Sequence, residues 1–197
     1  MISTRILVAL LLAAGATTAQ ADPKAEVFAA WDAMIAAKSY RATVETSANS
    51  MQFKQTIEII IPDRMRMNGG PGGDMVVTPE GAWIRIPGSD WTAAPPGTAA
   101  LSKQYLSPDF VDKAKAAVKS VAALGTEEVN GKPARTYRVD QVMTTMGVES
   151  ETSTKLFVDV ASGRPVRQEI DAKAMGTSSR TVQDIEYVAD LEIQAPK

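Results

Sequence analysis

The chain has 197 residues, with 21 Lys plus Arg against 23 Asp plus Glu, a formal charge of −2, and neither histidine nor cysteine. That composition removes imidazole bases, thiolate nucleophiles, zinc or iron sites of the ordinary type, and any disulfide, so a hydrophobic core alone must hold the fold. A nearly neutral chain without basic clusters gives no reason to expect nucleic acid as a partner.

Met1 to Ala21 reads as a secretory leader, with Arg5, an apolar run from Ile6 to Ala14, and Ala19-Gln20-Ala21 as an A-x-A cleavage site. The apolar run is shorter than the roughly 20 residues a bilayer requires, so export rather than membrane spanning is expected. Cleavage there would start the mature chain at Asp22 and leave residues 22–197 as one domain.

Asp22-Pro23 predicts a helix start, an acidic N-cap followed by the one helical position where proline costs nothing. Val27, Phe28, Trp31, Met34 and Ile35 recur at three-and-four spacing and form one apolar stripe, with the helix ending near Ser39. From Tyr40 the period becomes two. Met51 to Ile61 alternates Phe53, Ile57, Ile59 and Ile61 against Gln52, Lys54, Thr56 and Glu58, which predicts a long strand.

Pro62-Asp63 interrupts that strand, and alternation resumes with Met65 and Met67 on one side and Arg64 and Arg66 toward solvent. The glycine-rich stretch Gly69 to Gly73 has no phosphate-cradling spacing and reads as a connector; no cofactor is expected. Met75-Val76-Val77 and Ala82 to Ile86 predict two short strands about a Pro79/Gly81 turn. Pro87 to Gln104 reads as a loop anchored by Trp91, and Ser107-Pro108 opens a second helix carrying Phe110, Ala114, Ala117, Val118 and Val121.

The stretch from Gly125 to Asp171 supplies two hairpins, since Asn130-Gly131 and Ser162-Gly163 offer the positive φ that short loops demand. Val148 to Lys155 and Thr181 to Val188 alternate in the same way. The fold class that follows is α+β, a large curved antiparallel sheet of about nine to eleven strands, near the size at which a twisted sheet must curl or split.

Carboxylates recur in pairs at Glu127/Glu128, Glu149/Glu151 and Asp184/Glu186, but the last two pairs lie on polar strand faces, where solvation explains them better than catalysis. No serine sits in a G-x-S-x-G elbow, so no catalytic residue and no metal ligand is assigned. The methionines are more telling. Met51, Met65, Met67, Met75, Met143 and Met146 fall in strand segments, where a flexible thioether either fills an irregular core or re-packs around apolar ligands.

Three stretches together resemble the LolA-like periplasmic proteins, which include outer-membrane lipoprotein carriers, sensor domains of related fold and the lipid-binding LppX/LprG lipoproteins. They are Ile61-Pro62-Asp63-Arg64-Met65-Arg66-Met67 with Met75-Val76-Val77 and Pro79 to Trp83; Gly125 to Tyr137 with Val158 to Pro165; and Leu191 to Pro196. The resemblance implies an open half-barrel with helices over its concave face and a cavity for acyl chains. Carriers have a basic residue just before the strand-breaking proline, where this chain has Ile61, and an apolar residue three after it, matched by Met65.

The leading expectation is a periplasmic, non-catalytic binding protein for a lipid or the acyl chain of a lipoprotein. Its apolar lining would combine Trp31, Met34 and Ile35 of the first helix with Phe53, Ile57 and Ile59, with Met65, Met67 and Met75, and with Trp83 and Tyr137. The alternative is a sensor or interaction domain with a filled core, whose loops or edges bind another envelope protein.

Overall fold

In the computed structural model, residues 22–145 and 148–197 are described. The expected leader, residues 1–21, and Met146 lie outside the described residues.

The first helix, α1 (Pro23–Ala36), starts as its sequence dictates: the Asp22 carboxylate accepts from the Lys24 amide at 3.0 Å, and Pro23 follows. Lys38, in the left-handed region at φ 65°, then turns the chain into the sheet. The strands are β1 (Ser39–Ala48), β2 (Met51–Ile60), β3 (Arg64–Gly70), β4 (Gly73–Thr78), β5 (Gly81–Arg85) and the two-residue β6 (Thr92–Ala93). Two helices follow, α2 (Thr98–Leu106) and α3 (Pro108–Ala116), then β7 (Val118–Val129), β8 (Lys132–Thr145), β9 (Val148–Asp159), β10 (Pro165–Ala174) and β11 (Thr177–Glu186).

All eleven strands join one antiparallel sheet in the order β6-β5-β4-β3-β2-β1-β11-β10-β9-β8-β7. The last strand to be made, β11, docks between β1 and β10 and unites an amino-terminal with a carboxy-terminal meander. Strands β6 and β7 stand at opposite edges, so the curved sheet is open.

Register sorts the side chains into two faces. Tyr40 pairs with Ile59, Ala42 with Ile57, Ile59 with Met65, Met65 with Val77 and Met67 with Met75, so these apolar residues share the inner face. Tyr137, Val139, Leu156 and Gln168 continue that face across the other half. Helix α1 lies on it: Val27 and Ala30 pack with Val118, Tyr137, Val139, Leu156 and Val158, all fully or almost fully buried. This is the main core. A smaller cluster of Val129, Ala134, Phe157 and Val166 sits on the outer face.

Asn130 and Gly131, at φ 52° and 76°, form the two-residue turn that their sequence called for. The connection at Ser162-Gly163 is longer. There the Asp159 carboxylate accepts from the Ser162 amide at 2.8 Å and from its hydroxyl at 2.6 Å. Gly73 is irreplaceable for a different reason: a Cβ on it would stand 2.3 Å from the Arg85 carbonyl oxygen.

Several expectations need correction. Residues 98–104, expected as loop, are helical and belong to α2; the proline and glycine density stops at Gly97, and Thr98 then anchors the helix start by donating to the Pro95 carbonyl at 2.8 Å. Helix α3 ends at Ala116, so Val118 and Val121 belong to β7; both are β-branched, and β8 claims that segment, with Val142 N donating to Ala117 O. Pro62-Asp63 does more than interrupt a strand, since the chain reverses there and β3 returns alongside β2.

Arg64 and Arg66 do not simply face solvent. Their guanidinium groups donate to the carbonyls of Ile193 at 2.8 Å and Glu192 at 3.1 Å, clamping the carboxy-terminal tail on the outer face, where Ile193 is buried.

A candidate apolar cavity beneath the helices

Between the helices and the inner face lies a cavity of about 240 Å³. Helix α1 supplies Trp31, Met34 and Ile35, on the turns past its own buried contacts at Val27 and Ala30. Strands β1 and β2 supply Tyr40 and Ile59, and Ile61 closes that side. Leu106, Phe110, Val111 and Ala114 form the roof from α2 and α3, while Gln141, Met143 and Gln168 rise from β8 and β10. Most of this wall is hydrocarbon. Its polar groups are two amides, a phenol and the indole N–H of Trp31, and no carboxylate, ammonium or guanidinium is among them.

Polar contacts tie α1 and α3 to the sheet and to each other. Glu26 accepts from Arg135 Nη1 at 2.5 Å and from the Tyr137 hydroxyl at 2.6 Å, fixing the start of α1 on β8. Burial, with Glu26 as hydrogen-bond partner, pushes the Tyr137 phenol up to about 12. Lys115 of α3 pairs with Asp32 of α1, and Gln141 Nε2 donates to the Ala114 carbonyl at 2.9 Å. Phe28 and Trp31, both partly buried against the main core, stack with centroids 5.8 Å apart along α1. Tyr40 is buried beside Tyr187, and desolvation pushes its phenol up to about 12.

Four residues expected to line a ligand space, Trp31, Met34, Ile35 and Ile59, are brought together here. Ile57, Met65, Met67 and Met75 share the inner face but lie along β2, β3 and β4 outside the cavity, forming a half-exposed apolar strip that Ile84 extends on β5. Phe53 is on the same face, nearer the β1–β2 turn. Tyr137 faces inward but is covered by α1 and is 2% exposed, so it belongs to the core.

Trp83 is placed elsewhere. It pairs with Val76, which pairs with Arg66, so its side chain is on the outer face, and Ala82 and Ile84 take the inner one. In so short a strand the alternation Ala82-Trp83-Ile84 offers no cue to which face is inward.

The missed lining residues had uneven signals. Phe110 and Ala114 stood on a recognised helical stripe, whereas Gln141 and Gln168 are polar residues at inward positions that periodicity reads as outward.

Two wider clefts, of about 640 and 660 Å³, open on the outer face. Their walls carry Ser47, Asp140, Ser153, Asp171 and Arg180 in one and Arg41, Asp184 and Glu186 in the other. Many of these charges are already matched: Arg180 to Glu169 and Asp171, Arg41 to Glu58 and Glu186, Arg167 to Asp184. Such surfaces suit water rather than an apolar guest. Among the described residues no cluster of carboxylates is arranged to hold a metal ion.

An open antiparallel sheet with helices over its inner face is a fold that this chain shares with solved lipoproteins. Among solved structures the chain is similar to the lipoprotein LppX of Mycobacterium tuberculosis, with a TM-score of 0.61 and 14% identity over 87% of this chain and 97% of that one. It is similar also to LprF from Mycobacterium bovis, with a TM-score of 0.56 and 13% identity over 89% of this chain and 98% of that one. No family model matches the sequence, and no curated protein matches it.

Proposed function

We propose that the chain is a periplasmic, non-catalytic binding protein for a lipid or the acyl chain of a lipoprotein. The observation that carries this reading is the cavity under α1 and α3, walled by hydrocarbon and free of ionised groups. At about 240 Å³ it lies just below the roughly 300–1,000 Å³ of common small-molecule sites, which suits one flexible chain better than a bulky planar cofactor. The half-exposed strip of Ile57, Met65, Met67, Met75 and Ile84 gives a longer chain further apolar surface, and methionines adapt to such guests at low cost.

Periplasmic placement rests on the leader read from Met1 to Ala21, with Asp22 as the mature terminus. Terminal sequencing of protein recovered from the periplasm checks it; an intact Met1 on protein retained in the cytoplasm contradicts it. No helix among the described residues is long and apolar enough to cross a membrane. Saturable binding of an aliphatic ester by the purified protein tests the ligand class, and the absence of such binding would refute it.

A second reading, an interaction domain, is favoured by β7. This 12-residue edge strand is exposed at every position from Ala122 to Glu128, offering unpaired backbone groups to a partner strand. Protection of those amides from hydrogen exchange by an envelope partner would support it.

A further inference from the structure

We propose that the cavity selects an uncharged acyl ester over a free fatty-acid anion. The inference rests on the lipid-binding reading and gives it a substrate class. Its basis is the chemistry of the cavity's few polar groups.

Gln141 is already committed, its amide nitrogen donating to the Ala114 carbonyl. Tyr40 and Gln168 are not. Tyr187, beside Tyr40, donates its hydroxyl to the Pro165 carbonyl at 2.8 Å, but the Tyr40 hydroxyl meets no hydrogen-bonding partner among the described residues, nor does the Gln168 amide. Tyr40 is 8% exposed as a whole, yet its hydroxyl is not among the fully buried unpaired atoms, so solvent still reaches it. A guest carrying a carbonyl oxygen can accept from the Tyr40 hydroxyl or the Gln168 amide in place of water, a bond that a plain alkane cannot make. The phenol stays protonated throughout the physiological range, because burial has pushed its pKa up to about 12.

The wall itself offers an ionised carboxylate no counter-ion. Lys115 of α3 is paired with Asp32 of α1, Lys103 of α2 donates to the Pro79 carbonyl, and Lys38 and Lys113 are exposed. Arg41, Arg66 and Arg167 are on the outer face with Glu58 and Asp184. Tyr40, the one titratable group in the wall, titrates far above neutrality. A free fatty acid drawn in head first must therefore take up a proton, while an ester enters as it is.

The test compares methyl laurate with laurate, each displacing a fluorescent apolar dye from the mature protein at about pH 8 and about pH 5. The ester is expected to bind at least tenfold more tightly at the higher pH, with laurate gaining about tenfold per unit as pH falls toward its own pKa and the ester unchanged. Tyr40→Phe and Gln168→Leu should each weaken the ester about fivefold, the size of one hydrogen bond, while leaving a plain alkane unaffected. Equal binding of ester and anion at the higher pH, which a head group left in solvent would give, overturns the selectivity alone. Ester affinity unchanged in both variants also overturns it. No saturable displacement by either compound overturns the lipid-binding reading and this inference together.

Discussion

Ala114→Leu separates a ligand cavity from a filled core, because the two make opposite forecasts for stability. Ala114 lines the roof of the 240 Å³ space from α3. Leucine is as acceptable in that helix as alanine to within a few tenths of a kcal/mol. It adds three methylene-sized groups, each worth about 0.8 kcal/mol when buried, so filling the space should stabilise the empty protein by up to about 2 kcal/mol. The same groups exclude a similar length of acyl chain, so an aliphatic ester should bind about thirtyfold less tightly. Urea unfolding and dye displacement, run on both proteins, read the two effects. Undiminished binding would show that the guest sits elsewhere. A loss of several kcal/mol would show that the space is already packed, since overfilling a tight core destabilises it.

Other perturbations probe the frame. Glu58 is buried under Arg41, at 3.0 and 2.9 Å, and Arg66, at 2.9 Å; since those arginine side chains are 39% and 32% exposed and can rehydrate, Glu58→Ala should cost about 1–2 kcal/mol, below the roughly 3–5 kcal/mol of a fully buried pair, by urea unfolding. Trp83→Ala should lower stability yet leave ester binding within twofold or so, because the indole is on the outer face; a large loss of affinity would contradict the register. Hydrogen bonds from Ser120 and Ser153 hold the Asp140 carboxyl below its usual range, as Ser162 does for Asp159 and Arg85 for Asp74. Depressed carboxyls stabilise the fold above the ordinary carboxylate pKa and lose that contribution as pH falls through their folded values, so urea stability should be level near neutrality and decline below about pH 4, less steeply in Asp140→Ala.

The sequence carried the sheet and α1 because long, regular alternation and a clean cap need no tertiary information to be read. Tyr137, Val139 and Leu156 point inward as their period requires, and Asp22-Pro23 starts α1 where proline and a capping acid allow. Where local and tertiary demands differ, tertiary pairing decides the structure. Val118 and Val121 fit a helical stripe, but β8 offers them a ladder. Arg64 and Arg66 alternate like solvent-facing residues because the tail that covers them arrives 126 or more positions later in the chain.

For the cavity the division is similar. The stripe Trp31, Met34 and Ile35 was legible, and so was Ile59, since the apolar phase of both elements is marked over several turns or pairs. Trp83 was misplaced for want of phase in a five-residue strand. Gln141 and Gln168 were invisible because a polar residue at an inward position signals a site only once the walls around it are known.

The most direct test of the account is native mass spectrometry of the full chain expressed with its own leader and recovered from the periplasm. The protein should carry a bound species of acyl-lipid mass, removable by organic extraction, replaceable by methyl laurate, and depleted in Ala114→Leu. Bare protein in wild type and variant alike, with no uptake of the added ester, would contradict it.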